Sequence, residues 1–465
     1  MRNKILCLLL CFVSCLAFVG CGSKDSSSGG GSNGSDLNII LKSDTPESAY
    51  MGLPVVEINT QNGDKPYDKE NYINCSFKIS NCETESHNFE VSMKGSYGDD
   101  DSVGIRLRGN STKNYPKLPY RIKFDKKKSL FGLEKNKSWV LLADFLDQSA
   151  IRNYTAFTLG NMITDTFVPT PHHVVLFFNN EYKGLYLLCE QMDEKEGRAY
   201  VEDDILDTDT SFPFLIEMDR NALKEGVTGV DNFQPEYFYP IEIKYPEKED
   251  RIEGDTDVVF NYIQEYMNAV FKTLKTGEAV DVSFSDNLMT FEDLVDVDSF
   301  IEYHLINEIM RNQDSTWGSI YMHKTKTGKL KFGPVWDFDW SLSGKFTGCP
   351  YNESEIETAN YLCILTYNTP LRAYAELSEE NFANICDKWD EVKESIIDVV
   401  GELKTYKSTI KEAARFDAKY WYGETGAFQF DMQYDYVRLF LLDRYDFLNS
   451  QLVESNYSNL FSNQG

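Results

Sequence analysis

The spacing of apolar residues changes along the chain, and this change limits the folds that the chain can adopt. Between residues 54 and 190, short apolar segments alternate with turn residues, which is typical of half-buried strands. The predicted strands lie near Val55–Ile58, Ser76–Ile79, Phe89–Val91, Ile105–Arg108, Val174–Phe178 and Gly184–Glu190. One helical stretch, Gln148–Ile163, interrupts them. This region therefore predicts a mainly antiparallel sheet.

The second half of the chain has helical spacing instead. Apolar residues recur at intervals of three and four over Asp257–Leu274, over Ser299–Met310 and over much of Asn381–Leu452. A run of strands followed by a run of helices indicates an α+β fold. We expect a strand-rich lobe over residues 51–198 and a helix-rich lobe over residues 199–455.

The N-terminus has the order of an export signal. Arg2 and Lys4 precede an apolar run, Ile5–Val19, which is followed by Gly20 and Cys21. Residues 16–20 resemble a lipobox, so we expect residues 1–20 to be removed and Cys21 to carry a lipid on the outer face of a membrane. Simple secretion and an uncleaved anchor are the alternatives. Ser and Gly dominate residues 22–35, and residues 21–50 are predicted to be a flexible tether.

The net charge argues against nucleic acid as a partner, and the cysteines leave the disulfide pairing open. The formal net charge is −28, which repels nucleic acid, although solubility alone also explains an acidic chain. Cys7, Cys11 and Cys15 lie in the predicted signal. The mature cysteines are Cys75, Cys82, Cys189, Cys349, Cys363 and Cys386. Cys75 with Cys82, and Cys349 with Cys363, are close enough in sequence to form disulfides, and free buried thiols are the alternative.

The most informative stretch runs from residue 299 to residue 340. Ser299 and Glu302 form a predicted capping box for a helix that ends near Arg311, and Asp314 follows in a loop. Residues 319–324 and 329–332 read as two strands joined by a tight turn, and Asp337 follows the second strand. Because paired strands lie about 5 Å apart, this hairpin brings Asp314 and Asp337 together at one end.

Two carboxylates held in this way suit a divalent cation and a base or orienting group. Asp337 and Asp339 also face the same side of an extended segment. An acidic loop without function is the alternative in a chain with 74 acidic residues. The order of helix, loop Asp, hairpin and Asp-Phe matches the catalytic and metal loops of kinases.

Several further motifs resemble one family. They are Arg106–Thr112, Tyr115–Phe124, Trp139–Leu142 followed by Asp147 and Arg152-Asn153, Gly184–Tyr186 with Glu190, and Val335–Asp339. In this order they resemble the CotH kinase family of spore-coat and surface proteins, from about Pro54 to Ser341. The helical C-terminal region also fits, and the signal suggests a lipoprotein member.

This resemblance implies an atypical protein-kinase-like fold that binds ATP and Mg²⁺ or Mn²⁺. It implies that Lys117 faces the nucleotide phosphates, that Asp314 is the catalytic aspartate and that Asp337 holds the metal. Asp339 and Ser319 are the further metal candidates, and Glu190 is a further cofactor candidate. No G-x-G-x-x-G loop precedes Lys117, so we expect a turn at residues 108–112 to replace it. In that turn Arg108, Asn110 and Ser111 are the predicted phosphate contacts.

Three positions leave alternatives open. Ser319 stands five residues after Asp314, where kinases usually have an asparagine that binds a second metal. Arg152 can bind phosphate or pair with Asp147. His304 and Glu308 stand at i and i+4, which fits a satisfied pair on a helix face better than a zinc site, since no HExxH motif occurs.

Two functions follow from these observations. The first is transfer of the γ-phosphoryl group of ATP to Ser or Thr of an envelope or surface protein. The second is a non-catalytic adhesion or assembly protein on a kinase-like scaffold, because a fold does not fix a function. The second gains weight from location, since an anchored domain outside the cell meets little ATP.

Overall fold

A closed sheet forms the first part of the molecule in the computed structural model. The structure describes residues 39–109, 112–195, 198–199, 201, 205, 209–223, 231–248, 251, 257–342 and 369–453. The strands and the helix of this part are β1 Val55–Thr60, β2 Ile73–Ser80, β3 Phe89–Val91, β4 Val103–Leu107, β5 Tyr120–Lys128, β6 Asn136–Leu142, α1 Arg152–Ile163, β7 His172–Phe178 and β8 Glu181–Glu190.

These strands form a barrel. Their order is β1-β7-β8-β6-β5-β4-β2, and β2 also pairs with β1, so the sheet closes; β3 adds to β2. Pairing is antiparallel except between β1 and β7, which confirms the prediction of a mainly antiparallel sheet. Residues 39–50 lie against this barrel: the carbonyl of Ile40 accepts a hydrogen bond from Tyr182 N at 2.8 Å, and Ala49 is buried. Ordered packing therefore begins before residue 51.

Both faces of the central barrel strands are buried. On β6, Trp139 and Leu141 fill the barrel interior, while Val140 and Leu142 face a second core that includes the helices. Side chains alternate across a strand, so a strand buried on both faces must be apolar at every position. This explains the apolar run Trp139–Leu142 at the end of β6, and the loop that follows carries the acidic residues Asp144 and Asp147.

A second sheet and the helices form the rest of the described chain. The elements in chain order are β9 Phe214–Met218, β10 Asn232–Phe233, β11 Ile241–Tyr245, α2 Val258–Thr276, α3 Phe291–Leu294, α4 Val297–Ile309, β12 Ile320–Lys324, β13 Lys331–Phe332, α5 Pro370–Leu377, α6 Glu379–Val392, α7 Glu394–Tyr422 and α8 Gly426–Leu452. The sheet order is β10-β11-β9-β12-β13. The mixed α/β class is confirmed, although the helix-rich half also contains this sheet.

Local predictions around α4 have different outcomes. The hairpin is confirmed, because Met322 pairs with Phe332 and His323 pairs with Lys331. The capping box is wrong: Asp296 is the N-cap, and its carboxylate accepts a hydrogen bond from Ser299 N at 3.0 Å. Asp296 stands three residues before Ser299 and supplies an acceptor there, so the helix begins earlier than predicted.

The alternatives left open for buried polar groups are also resolved. Cys75 and Cys82 are free buried thiols, while Cys349 and Cys363 lie outside the described residues. Glu308 forms a fully buried ion pair with Arg444 at 2.8 Å, so the zinc alternative finds no support.

Among the described helices, none is long and apolar enough to cross a membrane. Residues 1–38, which include the predicted signal and Cys21, lie outside the described part.

Candidate functional site

A cleft of about 810 Å³ collects polar side chains from both sheets. Its walls come from the loop after β4, the loop after β6, the end of β9, the turn between α4 and β12, and the segment after β13. The charged side chains that line it are Arg108, Lys117, Asp144, Glu217, Asp219, Arg220, Lys244, Asp314, Asp337 and Asp339. So many charged groups, partly removed from water and close together, are typical of a functional site.

Asp314 lies directly after α4, where the chain reverses. Arg311 has a positive φ of 45° and ends the helix, and the carbonyl of Asp314 then accepts hydrogen bonds from Trp317 N at 3.0 Å and Gly318 N at 2.9 Å. Burial raises the pKa of Asp314 to about 6, and the nearby charge of Asp337 adds to this increase. A carboxylate with such a pKa can accept a proton near neutral pH.

Asp337 follows β13 and reaches the same cleft, as the hairpin predicted. Its φ is 68°, in the left-handed region, and its carboxylate accepts a hydrogen bond from Ser319 Oγ at 3.2 Å. Burial raises the pKa of Asp337, while the Arg108 guanidinium and the Ser319 hydroxyl act in the opposite direction. The structure therefore brings Asp314, Asp337 and Ser319, which were all predicted from the sequence, into one cleft.

Asp339 and Asp144 extend the acidic part of the cleft. Burial raises the pKa of Asp339 well above its usual value, and the charge of Asp337 raises it further. Burial also raises the pKa of Asp144 to about 7, with a further contribution from Asp147. Asn153 connects Asp144 to the segment after β13, because its Nδ2 donates to Asp144 Oδ1 at 2.8 Å and its Oδ1 accepts from Phe338 N at 2.9 Å.

Two of the four cations that line the cleft, Arg108 and Lys117, were predicted from the sequence. The guanidinium of Arg108 lies over the Trp336 ring at 5.2 Å and lowers the pKa of Asp337, against the effect of burial. Lys117 is buried, lines the cleft and pairs with Asp417 at 2.9 Å. Asn110 and Ser111, the other predicted phosphate contacts, lie outside the described residues.

Two predicted residues occupy other environments. Glu190 does not belong to the described cleft lining; its carboxylate accepts from Thr170 N at 2.7 Å and lies 3.8 Å from the Arg198 guanidinium. The position of Glu190 gives no support to a cofactor contact. Arg152 pairs with Asp147 and donates to the Ser341 carbonyl at 2.8 Å, which confirms the ion-pair alternative.

Sequence reasoning missed five of the ten charged cleft residues, namely Asp144, Glu217, Asp219, Arg220 and Lys244. Asp144 and Asp219 each follow a buried strand almost directly, β6 and β9, and this position was the available signal. Arg220 lies over the Trp317 ring at 4.8 Å and helps to lower the pKa of Asp314. Asp219 and Arg220 thus add charge on the side of the cleft where Asp314 lies.

The acidic groups fit a divalent cation that is shared with a phosphate ligand. Within the described ranges, no group of three or more His, Cys, Asp or Glu side chains is arranged to hold a metal alone. Mg²⁺, however, usually takes one or two carboxylates and completes its shell with water and phosphate oxygens. Asp337 and Asp339, whose pKa values rise through burial, are suited to such a cation because it would neutralise their charge.

Fold and cleft together define a mixed α/β protein with a charged cleft between a barrel and a second sheet. The family model described as CotH kinase protein matches residues 105–448, which is most of the chain, and the protein belongs to this family. No curated protein matches the chain. Membership implies a kinase-like activity that uses a nucleotide and a divalent metal, and the matched range contains the lining residues of the cleft.

Proposed function

We propose that this protein is an atypical kinase that transfers the γ-phosphoryl group of ATP to a Ser or Thr hydroxyl of an envelope or surface protein. One observation carries the proposal: Asp314, with a pKa raised to about 6, shares a cleft with Asp337 and with the cations Arg108 and Lys117. Phosphoryl transfer depends mainly on placement and on charge neutralisation, and the cleft offers groups for both.

Asp314 is assigned the acceptor side of the reaction. Its carboxylate orients the incoming hydroxyl and takes its proton as the new oxygen–phosphorus bond forms, while the bond to the leaving β-phosphate oxygen breaks. The pKa of about 6 keeps Asp314 largely ionised at neutral pH, so that it can accept this proton. Arg220 and Asp219 line the same side of the cleft and are available to contact the acceptor.

Asp337 is assigned the metal, with Asp339 beside it and the Ser319 hydroxyl as a supporting group. A bound Mg²⁺ or Mn²⁺ would neutralise phosphate charge. Lys117 and Arg108 are assigned the phosphates, and Asn110 and Ser111, which follow Arg108 in the sequence, remain predicted phosphate contacts. Arg108 and Lys117 line the cleft together with its carboxylates, which supplies positive charge for a polyphosphate.

Incubation of the purified protein with γ-labelled ATP, Mn²⁺ and an envelope extract tests this function. We expect label on a protein of the extract, resistant to removal of free nucleotide, and no label with D314N. Absence of transfer, together with absence of a thermal shift at millimolar ATP and Mn²⁺, would contradict the proposal. The adhesion or assembly function would then explain the fold better.

The proposal of an envelope or surface substrate depends on where the protein is located, and we infer this location from the N-terminal sequence. We propose that the protein is exported and anchored through a lipid on Cys21, which follows the apolar run and the small residue Gly20. C21A should be exported but released from membranes into the soluble fraction, because the described chain has no helix that could span the bilayer. Detergent-dependent membrane association of C21A would contradict the anchor.

A further inference from the structure

The ammonium group of Lys117 is held by three partners away from the cleft opening. Its Nζ donates to the Leu185 carbonyl at 2.6 Å and to Asp417 Oδ2 at 2.9 Å, and it lies 5.0 Å from the centre of the Tyr186 ring. An ammonium has three N–H donors, so these two hydrogen bonds leave one donor for the cleft that Lys117 lines. The side chain therefore has a fixed position rather than a solvated one.

Asp417 comes from α7, 300 residues further along the chain. Its other oxygen, Oδ1, accepts a hydrogen bond from Leu185 N at 2.9 Å, so both polar groups of the Leu185 backbone take part in the same network. Gly184 makes this approach possible: a Cβ there would lie 1.9 Å from Asp417 Oδ1, and its φ of 115° disfavours other residues. The barrel strand β8 is thus shaped to receive a carboxylate from the C-terminal helices.

Burial makes this carboxylate costly unless it is paired. Both Lys117 and Asp417 are buried, with 4% and 7% of their surfaces exposed. The indole N–H of Trp421, one turn later on α7, donates a hydrogen bond to the Lys183 carbonyl at 3.2 Å and lies near enough to Asp417 to lower the pKa of that carboxyl, against the effect of burial. A buried charge with this many dedicated partners has a defined geometric task, because an apolar pair would fill the same space without a desolvation cost.

We propose that Asp417 is the positioning residue for Lys117: it fixes the ammonium at the cleft wall and thereby makes nucleotide binding depend on the docking of α7 against β8. This inference rests on the proposed function, since it assigns Lys117 to the phosphates. In protein kinases a glutamate of an N-lobe helix pairs with the corresponding lysine. Here α1, the helix that follows β6, does not provide the acid, and a helix near the C-terminus provides it instead.

A double-mutant cycle separates a positioning role from a structural one. The variants are D417N, K117M and the double variant, and the readout is the Kd for ATP with Mn²⁺, measured by calorimetry on folded protein. D417N keeps an acceptor for Leu185 N but removes the charge that holds Lys117. We expect D417N and K117M each to weaken ATP binding by about tenfold, and the double variant to bind no more weakly than K117M. D417E should recover part of the loss.

E308Q is the matched control, because it neutralises the buried carboxylate that pairs with Arg444 and does not line the cleft. It should lower the Tm and leave the Kd for ATP unchanged. If D417N does not fold, W421F takes its place, since it removes the N–H beside Asp417 and keeps an aromatic ring. It should weaken ATP binding with Lys117 present and have no effect in the K117M background.

The outcomes are distinguishable. Unchanged ATP binding by D417N, or losses that add in the double variant, would overturn the positioning role while the proposed function stands. If the parent protein itself binds no ATP with Mn²⁺, the proposed function fails and the inference fails with it. Weaker binding by D417N, combined with no further loss in the double variant, supports both.

Discussion

The hydroxyl of Ser319 donates a hydrogen bond to the carboxylate of Asp337 at 3.2 Å. Ser319 occupies the position, five residues after Asp314, where kinases usually have a metal-binding asparagine. Its φ of 54° lies in the left-handed region, which asparagine and glycine tolerate better than most residues. In this protein the residue at that position hydrogen-bonds to Asp337, the carboxylate that we propose as the metal ligand.

This geometry makes a prediction for two substitutions of Ser319. S319G removes the hydroxyl without backbone strain, so the pKa of Asp337 should rise. The Kd for Mn²⁺ with ATP should increase by about tenfold, because a metal ligand that loses its hydrogen-bond partner usually binds the metal more weakly. S319N should bind the metal at least as tightly as the parent, because its amide oxygen is a better ligand. Calorimetric titration checks both. Equal affinity of S319G and the parent would contradict the supporting role.

A second prediction concerns Asn153, which connects Asp144 to the backbone of Phe338. N153A removes the partner of a buried N–H and the donor to Asp144, so it should lower the free energy of unfolding by about 1–3 kcal/mol and reduce phosphoryl transfer. N161A is the control on the same helix, because Asn161 donates to two carbonyls, of Phe157 and Pro169, away from the cleft. N161A should lower stability by less, because Asn161 is exposed, and it should leave the rate of transfer by folded protein unchanged. Equal effects of the two variants on the rate would argue against a link between Asn153 and the Asp337 segment.

The raised pKa of Asp314 predicts an acid limb in the pH profile. Asp314 must be ionised to accept a proton, so kcat/KM should fall as the pH decreases through about 6. The charge of Asp219 contributes to the raised pKa, and D219N should therefore move the limb to lower pH. Asn at this position can keep the hydrogen bond that Asp219 Oδ1 accepts from Asn221 N at 2.6 Å. A flat profile between pH 5 and pH 8 would exclude Asp314 as the group that titrates.

The local parts of the fold could be predicted from the sequence. The hairpin β12–β13 was predictable because two apolar strands flank a short turn, and it correctly indicated that Asp314 and Asp337 share a site. The strands β9 and β11 were missed. Strand β9 pairs with β12, about a hundred residues later, and short apolar runs in a helix-rich region give no signal for such a partner.

The polar contacts that support the site could not be predicted. Lys117 and Asp417 are 300 residues apart, and no spacing rule relates a lysine near a barrel strand to an acid near the C-terminal end of a long helix. Glu190 was assigned by family resemblance, and its contacts with Thr170 and Arg198 could not be read from the sequence either. Motifs indicate which residues matter, whereas side-chain direction depends on the packed structure.

The central claim, that Asp337 holds the metal and Asp314 serves the acceptor, is tested most directly by binding of ATP with Mn²⁺ to D337N and D314N. Asparagine tolerates the left-handed φ of 68° at position 337, so D337N removes the charge with little backbone strain. We expect D337N to weaken metal-dependent ATP binding by more than about tenfold. D314N should bind within about twofold of the parent while its transfer rate falls by about 10²–10⁴-fold. Parent-like binding of ATP with Mn²⁺ by D337N would contradict the claim and would make Asp339 the next candidate for the metal.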